Sequence, residues 1–133
     1  MNNELYLVVG LRWGGLGAVL RSFISARSSV GVGIFAGIPL GTLWVNWVGS
    51  FLLGMLIGML PEEGQLKAGL TTGLMGGLTT FSTFTYEGVS LFKGGLPLSA
   101  AVHMALHCVG GILLATLGLS IGLLFCRQSV NHL

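Results

Sequence analysis

Phe81 and Phe84 stand three residues apart, with Ser82 and Thr83 between them and Thr85 after, inside the run GLMGGLTTFSTFTYE, Gly73 to Glu87. Residues three apart share one face of a helix. An aromatic ring is positive at its edge, so two ring edges and nearby hydroxyl donors can replace part of an anion's water shell. The competing reading is plain packing for the rings and hydrogen bonds back to helix carbonyls for the hydroxyls. Two glycines followed by two threonines disfavour a regular helix, because glycine costs about 1 kcal/mol relative to alanine and threonine prefers caps. The helix is expected to stop near Gly76 and Gly77 and restart with Thr79 or Thr80 as cap. Such a break frees carbonyls that can hold a cation, and it makes a half-helix N-terminus that favours an anion.

Other polar residues lie in equally apolar surroundings. Asn46 stands between Trp44 and Trp47 in LWVNWVG. Its amide must find partners in hydrocarbon, through a helix-to-helix hydrogen bond or by lining a pore. Arg21 is a permanent charge inside the first apolar run. It faces protein or water, or snorkels to the interface as Arg12 can. His103 and His107 are four apart on one face. With no carboxylate or cysteine ligand set beside them, a polar stripe along an internal path is favoured over a metal site. Glu87 closes the motif as a vestibule group or a solvated one.

The elements that position these residues follow from composition. Of 133 residues, 53% are hydrophobic and 8% charged, and the mean hydropathy is +0.88. Ordinary soluble domains have about a quarter of their residues charged. No Asp, Glu, Lys or Arg occurs from Ser28 to Leu60 or from Gly94 to Cys126, and a spanning helix needs about 20 apolar residues. Four spans are expected, at roughly 5–26, 38–60, 66–92 and 98–125, within a single transmembrane domain covering 1–133. The first lacks the basic leader and cleavage site of a signal peptide. Four helices leave little interior, so oligomerisation is the default. Small residues four apart (Gly10, Gly14, Ala18; Gly54, Gly58; Gly69, Gly73, Gly77; Gly118, Gly122) suit close helix contacts.

Lys67 and Arg127 fall on one side of such a bundle, Arg27 and Lys93 on the other. Positive residues normally set orientation, and here they tie. Either one strong signal decides, or the chain inserts both ways up and pairs with an inverted copy. Cys108 and Cys126 are packing residues about 27 Å apart along a helix, too far to pair. A net charge of +2 does not suggest nucleic acid. No nucleophile, base and orienting group occur together, so an enzyme is not expected.

The run GLMGGLTTFSTFTYE closely resembles the signature of the Fluc (CrcB) fluoride channels, small bacterial four-helix membrane proteins. GGLGAVLRSFIS at 14–25 and IPLGTLWVNWVGSFLLGML at 38–56 agree in order and spacing, while the last helix matches loosely. The resemblance implies an all-α membrane protein with four transmembrane helices, a break in the third, and an antiparallel, dual-topology homodimer. It implies two fluoride paths built from both subunits in the bacterial inner membrane. Its partners are then lipid, F⁻ and a second copy, with no nucleic acid or soluble protein. Residue by residue, Phe81 and Phe84 correspond to the ring-edge pair, Asn46 to the pore-lining amide, and Ser82 and Thr83 to the hydroxyl positions. Arg21 corresponds to the vestibule arginine and Glu87 to the acid after the signature. Gly76 and Thr79 correspond to the positions whose backbone carbonyls hold a structural Na⁺ between subunits. His107 sits where relatives carry other polar side chains. The implied activity is passive fluoride export and fluoride resistance. A small multidrug exporter would need a carboxylate embedded in the first helix, and Glu4 lies only at its start. A non-transporting scaffold would leave the TTFSTF chemistry without purpose.

Overall fold

The computed structural model describes residues 3–28, 30–32, 35–60 and 64–131. The described residues are helical, apart from the connections and one isolated bridge between Val30 and Pro39. Helix α1 spans Asn3–Arg27 and α2 spans Leu40–Met59. The third apolar stretch is composite: α3 (Gln65–Ala68), a π-helical segment (Gly69–Met75), α4 (Gly76–Leu78) and, after a break, α5 (Phe81–Lys93). The last stretch runs α6 (Pro97–Ala105), a π turn (Leu106–Gly110) and α7 (Gly111–Asn131). Among the described residues, three helices are long and apolar enough to cross a membrane: Tyr6–Arg27, Leu40–Met59 and Pro97–Gln128. The expected third span is missing from that set because it is divided between two halves. Four apolar stretches with the third one interrupted match the sequence expectation.

Two contacts organise the chain, and glycine permits both. Along α2 and α7, a Cβ added at Gly54 would collide with the Ala115 carbonyl, and one at Gly118 with the Phe51 carbonyl. The backbones therefore lie against each other, which is how helices associate where lipid removes the hydrophobic drive. Along α1 and α4, Gly17 meets the Leu74 carbonyl and Gly77 meets that of Gly14. Gly10, expected in this stripe, has open space beside it. Gly17 is the closely packed residue instead, since it falls on the face that α1 turns to the broken helix.

Buried apolar residues form two small groups. Ile38, Leu91 and Ala100 pack where the first connection meets the ends of α5 and α6. Val45, Met75 and Leu78 pack α2 against the first half of the third span. Elsewhere apolar side chains face outward: Leu11, Val19, Ile112 and Leu113 are all exposed. That is the distribution of a chain whose exterior is hydrocarbon or another protein.

Candidate functional site

The break lies at Thr79 and Thr80, both extended (φ −75°, ψ 155° and φ −147°, ψ 117°). Gly76, Gly77 and Leu78 are still helical, so the helix runs one residue past the glycine pair where it was expected to stop. The pair that halts it is β-branched, with a neighbour ready to receive its backbone. That neighbour is Asn46 of α2. Its Oδ1 accepts from Thr80 N–H at 2.7 Å, and its Nδ2 donates to the Thr80 carbonyl at 3.1 Å. Both polar groups of the extended residue are thus paired, as burial requires. Asn46 makes the expected inter-helix bond and also lines a pocket. One of its two amide hydrogens remains for another acceptor.

Thr80 is the cap. Its Oγ1 accepts from Thr83 N–H at 3.2 Å and donates to Thr83 Oγ1 at 3.0 Å, so the Thr83 hydroxyl keeps its own hydrogen to give away. These bonds have a consequence for the carbonyls behind them. In an unbroken helix Thr80 N–H would close on the Gly76 carbonyl, and Thr83 N–H on the Thr79 carbonyl. Asn46 and the Thr80 hydroxyl take those two donors, which releases the Gly76 and Thr79 carbonyls. Gly76 is exposed and Thr79 half-buried on the surface of the chain. Carbonyl oxygens without a helix donor are the kind of ligand that hard cations take. Among the described residues no group of His, Cys, Asp and Glu could hold a metal.

An open pocket of about 300 Å³ sits beside the break, lined by Asn46, Ser50, Thr79, Thr80, Phe81, Phe84 and His107, with Leu53 and Cys108. The lining contains no acid. The Phe81 and Phe84 rings are 5.5 Å apart and tilted by 58°. Their environments differ sharply: Phe84 is 5% exposed and Phe81 77%. Phe81 projects off the chain, whereas Phe84 packs on His103 and His107, with ring centroids at 5.4 and 4.7 Å.

The other sequence candidates divide. Ser82 is exposed one position along, its hydroxyl 3.4 Å from that of Thr80. Thr85 bonds back to the Phe81 and Ser82 carbonyls, so its donor is used within the helix. Glu87 is not simply solvated. Its Oε1 accepts from Thr42 Oγ1 at 2.6 Å, and its Oε2 lies 3.7 Å from His103 Nε2. Arg21 is half-buried on α1 and does not line the pocket; its Nε is buried without a hydrogen-bond partner among the described residues. Cys108 and Cys126, expected as packing residues, are exposed free thiols, and Cys108 borders the pocket.

Sequence reasoning passed over Thr42, Ser50 and the role of His103. A signal was present: Thr42, Asn46 and Ser50 recur every four residues on α2, a polar stripe facing the His103–His107 stripe. His103 is fully buried, with Nε2 3.1 Å from the Phe84 carbonyl.

Comparison with known proteins decides the kinship. The family model described as "CrcB-like protein, Camphor Resistance (CrcB)" matches residues 7–119. The chain belongs to the CrcB family. Its relatives include the "Fluoride-specific ion channel FluC" of Nautilia profundicola, 41% identical over 89% of this chain and 93% of that protein. The protein of the same name from Ruminiclostridium cellulolyticum is 41% identical over 84% and 90%. "Fluoride-specific ion channel FluC 2" of Moorella thermoacetica is 42% identical over 90% and 98%. A CrcB chain with these apolar helices is a multi-pass membrane protein, and the family is one of ion channels rather than enzymes.

Proposed function

We propose that this CrcB chain forms a fluoride channel, and that the pocket beside the Thr79–Thr80 break is part of the fluoride path. The observation that carries the reading is the convergence of donors without an acid. The Asn46 amide, with one hydrogen to spare, and the Phe81 and Phe84 rings line the pocket, and the Thr83 hydroxyl stands at the same helix restart outside that lining. The relatives' names support fluoride as the anion. Fluoride is small and strongly hydrated, so leaving water must be offset by several close donors at once. Ser82 offers a further hydroxyl. Arg21 and Glu87 belong to the approaches, Glu87 through its bond to Thr42. Transport is read as passive flow down the fluoride gradient.

The wall is incomplete in one chain. Phe81 is exposed, as is Gly76, with Thr79 half-buried nearby. An antiparallel second copy, inserted the opposite way up, would cover both, and the tie between Lys67 with Arg127 and Arg27 with Lys93 suits that arrangement. Gly76 and Thr79 from each copy would then hold a Na⁺, which supplies fixed positive charge near the anion path.

The test is ion efflux from proteoliposomes. Fluoride should leave far faster than chloride, and empty vesicles should hold both; equal rates would refute selectivity. Phe81→Ile and Phe84→Ile should each slow fluoride by about tenfold or more, the scale of one lost charge-directed contact, with the dimer intact. Unchanged flux would make the ring pair a packing feature.

A further inference from the structure

Thr42, Asn46 and Ser50 stand on one face of α2, each about 6 Å along the axis from the next. Their side chains are used differently. Thr42 Oγ1 donates to Glu87 Oε1 at 2.6 Å, so that position holds an anion the chain itself supplies. Asn46 grips Thr80 by its N–H and its carbonyl. Ser50 grips nothing. Among the described residues its hydroxyl has no hydrogen-bond partner, yet it is not sealed within the packing. Hydroxyls in helices can bond to the carbonyl four residues back, as Thr79, Thr116 and Ser120 do here at 2.9, 2.8 and 3.0 Å. For Ser50 that carbonyl belongs to Asn46, and the hydroxyl does not take it.

The neighbours show where the hydroxyl lies. Ser50 is half-buried and lines the pocket with Asn46, Leu53 and Cys108. A Cβ added at Gly111 would meet only Ser50 Oγ, at an ordinary contact distance of 3.7 Å. The hydroxyl is therefore on the side of α2 that faces the start of α7, with space beside it. Cys108, about one turn before Gly111, borders the same pocket. One turn further along α2 that space is gone, because a Cβ on Gly54 would collide with the Ala115 carbonyl. The two helices thus open like a V from the Gly54–Ala115 contact. Phe51 to Leu53 on α2 and Ile112 to Leu114 on α7, the residues between, are apolar. Ser50 is the first polar side chain above the closure.

A hydroxyl at membrane depth costs free energy unless something accepts its hydrogen, and the pocket lining holds no acid to do so. We propose that Ser50 is a fluoride-binding residue, its hydroxyl donating to the ion one turn of α2 beyond Asn46, where the pocket closes. The Thr42–Glu87 bond is the precedent within the molecule: a hydroxyl on the same face of the same helix already holds a negatively charged oxygen. Between Asn46 and Ser50 the ion moves about 6 Å and meets a donor at each end of the step. The inference rests on reading the pocket as the fluoride path.

The test is fluoride current across a planar bilayer at one fixed fluoride concentration, with stability in detergent measured on the same preparations. Because the Ser50 hydroxyl bonds to no part of the fold, Ser50→Ala should denature at the wild-type midpoint. Its current should nevertheless fall about tenfold, the scale of one hydrogen bond to a charged group. Ser50→Thr, which keeps the hydroxyl, should restore most of it. Ser120→Ala removes a hydroxyl that bonds within its own helix, away from this pocket, and should conduct as the wild type does. An unchanged current in Ser50→Ala overturns the proposal. So does a fall that comes with lost stability, that Ser50→Thr does not reverse, or that Ser120→Ala reproduces. Each of these sinks the Ser50 assignment alone, whereas a wild-type protein that passes no fluoride sinks the channel reading with it.

Discussion

Among the described residues two apolar stretches are interrupted helices, and they are interrupted in different ways. In the third span the chain leaves the helix altogether for Thr79 and Thr80 and restarts under a threonine cap. In the last span the helix stays wound and admits one wide turn at Leu106–Gly110. Adjacent residues of α2 brace both. Asn46 takes the N–H and carbonyl of Thr80, and Trp47 takes the carbonyl of Leu106. The full break exposes backbone, since its product is two released carbonyls and a capped half-helix. The wide turn sets a buried side chain, His107, beside the pocket. One regular helix thus keeps two irregular ones in place, and the depth of each interruption matches what it presents.

Removing each brace separates the two roles. Asn46→Leu leaves the Thr80 N–H and carbonyl buried and unpaired, at about 1–3 kcal/mol for each group. The expected outcome is the largest loss: denaturation at clearly lower denaturant in detergent, with fluoride efflux abolished. Near-normal stability would show that the break is self-supporting. Thr80→Val removes the cap and should cost about 1 kcal/mol, with a partial loss of efflux because Thr83 N–H is free to return to the Thr79 carbonyl. Unaltered efflux would mean that the released Thr79 carbonyl has no part in conduction. Trp47→Phe keeps the ring over Gly110 but removes the bond to Leu106, at about 1 kcal/mol or less. It should leave fluoride selectivity intact. If it damaged selectivity as Asn46→Leu does, the division of labour between the two interruptions would be wrong.

Much of this was legible in the residues because membrane depth makes polarity expensive. A Gly-Gly-Thr-Thr run in an apolar stretch announces a break, and Thr80 is the cap that its chemistry suggests. Asn46 had to be paired, and it is. The helix runs one residue past the glycine pair, because glycine only weakens a helix, whereas the halt at Thr79 depends on Asn46 capturing a backbone group 34 positions away. No local pattern encodes that capture. The π turn was invisible for the same reason: Leu106 and Gly110 are ordinary in sequence, and only Trp47 makes their arrangement special. Glu87 looked like a surface acid until the fold brought Thr42 and His103 to it. The Thr42–Asn46–Ser50 spacing could have been read and was not, since a lone threonine or serine in an apolar span usually bonds to its own helix.

The central claim is that the restart of the third span, beside Asn46, forms a path for fluoride in preference to other halides. The reversal potential across a bilayer with fluoride on one side and chloride at equal concentration on the other tests it most directly. The account predicts a potential displaced strongly toward the fluoride equilibrium value, collapsing in Asn46→Leu; a reversal potential near zero in the wild-type protein would contradict it.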